Sequence, residues 1–169
     1  MTARPPLVSA VLFDVDGTLL DTEAYIFGAF SAALAQAGAA PQPVARYRAV
    51  VGHPLEQCYE VLAPGHDTAS LCAFHRRWQA ARLEMVRPMP GAADLLSALR
   101  QRGVRLAAVT NRSRQSSIDS LARVGLLASL ETVVSSEDVA RQKPDPEPVW
   151  LALGRLAVAP ANGVMVGDT

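Results

Sequence analysis

Apolar positions along this chain follow two different rhythms. Short apolar-rich runs at 10–13, 104–109, 131–134 and 163–166 read as strands, the first of them apolar throughout as in a strand buried on both faces. Between the later runs, at 92–102, 113–124 and 146–156, apolar residues recur at helical spacing. Their inner faces are predicted to carry Leu95, Leu96 and Leu99, then Ile118 and Leu121, then Val149, Trp150, Leu153 and Leu156. Gly103 and Gly125 close the first two helices, Ser113 caps the second, and Pro146 stands near the start of the third. Strands alternating with helices pair in parallel through right-handed crossovers, so this rhythm predicts an α/β core.

The segment 23–86 keeps only the helical rhythm. Ile26, Phe30, Ala33, Leu34 and Ala37 mark one face of a helix over 24–37, and Gly38 stops it. Shorter helices follow at 44–51 and 55–62, and a longer one runs from Asp67 or Thr68 to about 86 with Leu71, Phe74, Trp78 and Met85 as its stripe. Prolines at 41, 43 and 64 punctuate these pieces, and Pro88-Met89-Pro90-Gly91 marks the return to the alternating pattern. The expected organisation is a parallel α/β core at 1–22 and 87–169, interrupted after its first strand by an all-helical module at 23–86.

Polar residues collect where the strands stop. The first strand ends in Asp14-Val15-Asp16-Gly17-Thr18, with two carboxylates one residue apart that repel unless a cation or a proton intervenes. The second ends in Thr110-Asn111, and the last runs into Gly167-Asp168-Thr169. Lys143, in Arg141-Gln142-Lys143-Pro144-Asp145-Pro146, is the only lysine of the chain. Its solitary place among arginines suggests a role for a point charge. A parallel sheet brings such strand ends to one edge, where open α/β sheets bind ligands. Three carboxylates, one cation and neutral donors together suit a divalent cation and a phosphoryl group, because Mg²⁺ prefers oxygen ligands.

Composition narrows the partners. Lys plus Arg and Asp plus Glu number 16 each, so no basic excess argues for nucleic acid. Half of the residues are hydrophobic, enough for a sizeable core. No apolar run reaches the length of a membrane span, and no secretory leader is apparent. Cys58 and Cys72 show no metal-ligand spacing and read as free thiols. A cytoplasmic protein without a membrane or nucleic-acid partner is the expectation.

Asp14-Val15-Asp16-Gly17-Thr18, Thr110-Asn111, Lys143-Pro144-Asp145-Pro146 and Gly167-Asp168-Thr169 resemble the four ordered motifs of the haloacid dehalogenase-like hydrolases. The helical insertion after the first motif resembles the helical-cap subgroup, which includes phosphoglycolate phosphatase. The resemblance implies a Rossmann-like core with an inserted cap, and Mg²⁺-dependent hydrolysis of a small phosphorylated metabolite through an aspartyl-phosphate. It would make Asp14 the nucleophile and Asp16 the proton donor and acceptor. Thr110 and the Asn111 backbone would hold phosphate, Lys143 would offset charge, and Asp14, the Asp16 carbonyl and Asp168 would bind the metal.

The sequence departs from the family pattern after Asp168, where a second acid and further elements normally follow, so a truncated sequence is expected. Inorganic pyrophosphatase and β-phosphoglucomutase chemistry use the same core, and a non-catalytic fragment binding phosphate or a protein is a reading of another class. Dehalogenation has no use for Asp16, and the absence of lysine from 23–86 argues against Schiff-base phosphonate cleavage. Arg46, Arg48, His53, Arg112 and Arg114 are candidates for contacting an anionic substrate.

Overall fold

The computed structural model describes residues 8–168. Strand β1 (Ala10–Phe13) is fully buried and lies inside a four-stranded sheet. Its neighbours β4 (Arg105–Val109) and β6 (Gly163–Val166) run parallel to it, and β5 (Thr132–Val134) runs parallel to β4. The alternation of side chains explains why β1 is apolar throughout. Val11 and Phe13 face Leu96, Leu106, Ala108 and Leu121 in one core cluster. Ala10 and Leu12 face Ala107, Val109, Val134, Ala152, Leu153 and Leu156 in another. Helices α5 (Ala92–Gln101) and α6 (Arg114–Arg123) supply the first cover and α7 (Glu147–Arg155) the second. Because β4 and β5 lie on one side of β1 and β6 on the other, the order of connection reverses beside β1. That reversal opens a crevice at the carboxyl ends of the strands.

The helical insertion is made of α1 (Glu23–Gln36), α2 (Val44–Val50), α3 (Leu55–Leu62) and α4 (Thr68–Ala80). They enclose a separate apolar cluster around Phe30, Leu34, Tyr47, Tyr59 and Leu71, to which both cysteines belong. Asp67 caps α4, accepting from the main-chain N–H groups of Ala69 and Ser70. Among the described residues no helix is long and apolar enough to cross a membrane.

Several expectations need correction. The long helix ends at Ala80, and a short 3₁₀ turn at Leu83–Met85 carries the chain on. Trp150 is 58% exposed and Leu95 is 48% exposed; the buried rows run instead through Pro148, Ala152 and Leu153, and through Ala92 and Leu96. Each helix rests on the sheet along a narrow line, and both residues fall on its flank. Ala37, predicted on the inner face of α1, is exposed, whereas Tyr25 is buried. Ser113 makes no side-chain capping bond. A two-stranded antiparallel ribbon, β2 (Leu20–Asp21) with β3 (Arg87–Pro88), joins the core to the insertion, and strands this short leave no periodic signal.

Candidate active site

Asp14 follows β1 directly, and its N–H continues the sheet ladder by donating to the Val166 carbonyl at 2.8 Å. The side chain therefore stands on a fixed base. Asp14 Oδ1 accepts from the Val15 N–H at 2.7 Å, and Oδ2 pairs with Lys143 Nζ at 2.6 Å. The residue is 7% exposed. Removal from water pushes its carboxyl above the usual carboxylate range, with Lys143 pulling in the opposite direction.

After Val15 the chain folds into a tight loop, with the N–H groups of Leu19 and Leu20 donating to the Val15 carbonyl. Gly17 adopts a positive φ of 72°, and a Cβ there would collide with the Asp168 carboxylate. Glycine thus supplies both the turn and the space that Asp168 fills. Asp16 immediately precedes this glycine. Its Oδ1 accepts from the Thr22 hydroxyl at 2.7 Å and from Arg112 Nη1 at 3.0 Å.

Thr110 and Asn111 follow β4. The buried Thr110 donates its N–H to Val134, and its hydroxyl oxygen accepts from the Arg112 N–H at 3.2 Å. The Asn111 amide holds two loops at once. Its Nδ2 donates to the Gly52 carbonyl at 2.7 Å and the Lys143 carbonyl at 2.9 Å, and its Oδ1 accepts from the Lys143 N–H at 3.0 Å. The main chain around Lys143 is thereby fastened below Asp14. The Lys143–Pro144 peptide bond is cis.

A cavity of about 360 Å³ is lined by Asp14, Asp16, Thr110, Asn111, Lys143 and Asp168 on the sheet side. All the residues singled out at the strand ends are thus brought together. Across from them stand Ile26, Phe27 and Phe30 of α1, the loop Val51-Gly52-His53, and His75, Arg76 and Gln79 of α4. The volume is that of a small-molecule site. Of the arginines considered from sequence, Arg48 and Arg112 line the cavity. Arg46 does not; it donates to the Val61 carbonyl, and Arg114 pairs with Asp138.

The sequence reading missed His75 and Gln79. Both are buried one turn apart on α4, in line with Leu71. Polar residues on the apolar row of a helix are the signal that could have found them. His75 Nδ1 is hydrogen-bonded to the Tyr59 hydroxyl at 2.8 Å, and burial holds its imidazole down to about 3.

The donors available to a metal on the floor are all oxygen, which suits a hard cation. Among the described residues no three His, Cys, Asp or Glu side chains form a group able to hold a metal ion. The Asp16 carboxylate, expected from sequence among the metal-binding residues, is held through Oδ1 by Arg112 and Thr22. What remains is the Asp14 and Asp168 carboxylates with main-chain oxygens. That set fits an ion that keeps several of its waters, as Mg²⁺ does.

Comparison with known proteins gives the family of the chain. A family model described as haloacid dehalogenase-like hydrolase matches residues 11–169. The plasmid-encoded phosphoglycolate phosphatase of Cupriavidus necator is 36% identical over 168 residues, covering 95% of this chain and 73% of the relative. The pyrophosphatase PpaX of Bacillus velezensis is 31% identical over 161 residues, 95% of this chain and 74% of the relative. A haloacid dehalogenase-like family hydrolase from Streptococcus pneumoniae, 21% identical, superposes with a TM-score of 0.85 over 96% of this chain and 77% of its own, a likeness of fold. With its match running from β1 through Asp168, the chain belongs to the haloacid dehalogenase-like hydrolase family.

Proposed function

We propose that this protein is a Mg²⁺-dependent phosphatase of small phosphorylated metabolites that works through an aspartyl-phosphate on Asp14. The observation that carries the reading is the Asp14–Lys143 ion pair on the floor of a cavity that Thr110, Asn111 and Asp168 also line. Lys143 keeps a cation against a carboxylate that burial would otherwise favour in its neutral, non-nucleophilic form.

In the first step a carboxylate oxygen of Asp14 attacks phosphorus as the bond from phosphorus to the leaving oxygen breaks, and Asp16 gives that oxygen a proton. In the second, water attacks phosphorus and passes a proton to Asp16, and the bond to Asp14 breaks. Two displacements replace one difficult hydrolysis. The Thr110 hydroxyl and the Asn111 N–H hold phosphate oxygens, and Lys143 offsets charge on phosphate and Asp14. Asp14, Asp168 and the main-chain carbonyl of Asp16 would hold Mg²⁺, whose charge lowers the repulsion between nucleophile and phosphate when bound.

Residues 23–86 act as a cap over the core formed by 1–22 and 87–169, excluding water and contacting the leaving group. Phosphoglycolate is the first substrate to try, after the Cupriavidus relative, and pyrophosphate the second, after the Bacillus one. Release of p-nitrophenol from its phosphate ester, with and without Mg²⁺, tests the reaction. Asp14→Asn is expected to lower kcat by about 10⁴-fold or more. Wild type and Asp14→Asn equally inert, or equally active, would overturn the assignment.

A further inference from the structure

Asp16 is held by one of its oxygens. Oδ1 accepts from Thr22 and Arg112, while among the described residues no donor is bonded to Oδ2. Arg112 is itself fixed with unusual completeness. Its Nη2 donates to Ser116 Oγ at 2.6 Å and Ser120 Oγ at 2.9 Å, and its guanidinium carbon lies 5.7 Å from the Tyr25 ring centroid. The side chain is 11% exposed although it borders the cavity. Ser116 and Ser120 stand one turn apart on α6, so they form a row along which the planar guanidinium lies.

We propose that Arg112 is a positioning residue that fixes the Asp16 carboxylate so that Oδ2 faces the leaving oxygen of the substrate. The inference rests on the reading of Asp16 as the proton donor. The guanidinium has its donors directed at Asp16, Ser116 and Ser120, an arrangement suited to orienting a carboxylate rather than to meeting phosphate. Arginine is required because a rigid fork meets several acceptors at fixed angles, which a lysine ammonium on a flexible stem does not. The contact to Thr22 ties the same oxygen to the residue immediately before α1. The acid is thus anchored from α6 on one side and from the root of the insertion on the other.

The readout is dependence on the leaving group. An alkyl phosphate needs a proton on its departing oxygen, whereas p-nitrophenol departs as a stable phenolate. For Arg112→Ala, kcat/KM on an alkyl phosphate is expected to fall about 100-fold and on p-nitrophenyl phosphate less than about 5-fold, with KM changing less than about 3-fold on either. Added guanidinium chloride at millimolar concentration should restore part of the alkyl rate. Ser116→Ala/Ser120→Ala, which keeps the arginine but loosens it, should show the same selectivity at about 10-fold. This pair carries the test if Arg112→Ala does not fold.

Equal losses on the two esters, or a loss confined to KM, would overturn the inference. Asp16→Asn separates the two levels of the argument. If it shows no leaving-group selectivity, the role assigned to Asp16 fails. If it does while the arginine and serine variants do not, the positioning role of Arg112 alone fails.

Discussion

Acidification should weaken this fold through one imidazole in the wall of the cavity. His75 is buried against Phe30 and Tyr59, with ring centroids 4.9 and 5.8 Å away. Loss of solvation, followed by the charges of Arg112 and Arg76, holds it down to about 3. In the unfolded chain an imidazole titrates near 6.5. Below that pH the unfolded chain binds a proton that the folded chain refuses, so stability falls as pH falls. The loss continues until the folded group itself titrates near 3. Its slope is about 1.4 kcal/mol per pH unit, which makes about 2 kcal/mol between pH 6.5 and about pH 5.

Replacing the ring by Phe removes the titration but leaves the Tyr59 hydroxyl without its partner, a loss of about 1–3 kcal/mol at every pH. The comparison is therefore between slopes, in Tyr59→Phe and in the double variant Tyr59→Phe/His75→Phe. Urea unfolding at about pH 7.5 and about pH 5 gives both. The histidine-containing protein should lose about 2 kcal/mol more than the double variant between the two conditions. Equal losses would refute the argument, because they would mean that the buried imidazole binds its proton as readily folded as unfolded.

Three further outcomes test the floor of the cavity. On the proposed function, Gly17→Ala should raise the Mg²⁺ concentration needed for half-maximal rate while lowering the melting temperature only modestly. The backbone strain costs about 1–2 kcal/mol, whereas the Asp168 carboxylate, the end of an exposed side chain, must leave its position. Lys143→Met removes the cation beside the buried Asp14 and should destabilise the protein by up to about 3–5 kcal/mol near neutral pH. The deficit should shrink on acidification, since a carboxyl whose folded pKa is raised is relieved by taking up its proton; thermal melts at two pH values check the sign. Asn111→Ala frees the Gly52 and Lys143 carbonyls and should lower kcat and stability together, the latter by about 1–3 kcal/mol in chemical denaturation.

The clustering of the candidate site was legible in sequence because parallel topology makes a spatial cluster from a one-dimensional fact, namely that each apolar run ends in a polar residue. Asp14, Thr110 and Asp168 needed only the positions of strand ends to be placed on one edge. The partners of those residues were not legible. Arg112 is adjacent to Asn111 in sequence, but nothing local says that its guanidinium turns toward Asp16 and the α6 serines. That choice depends on how α6 packs beside β5 and against α4, a long-range matter. His75 and Gln79 are hidden in sequence because the apolar rhythm of α4 stands out most at its largest apolar residues, Phe74 and Trp78, which are only half-buried. Trp150 behaves in the same way: it is the largest apolar residue of α7, while the packing line takes the smaller Ala152.

The ribbon formed by Leu20–Asp21 and Arg87–Pro88 has a consequence for how such a molecule changes over generations. Both crossings between sheet and insertion lie side by side, paired from Leu20 to Pro88 and from Asp21 to Arg87. A body hung from two adjacent strands bends about one axis far more readily than it twists or slides. With residues 23–86 acting as the proposed cap, admission to the cavity is expected to follow a single angle. Molecules of different length can be met by a different resting angle, with the floor around Asp14 left as it is. On the proposed function, selection can therefore alter what enters by changing the upper body, with the reaction at the floor expected to stay as it is.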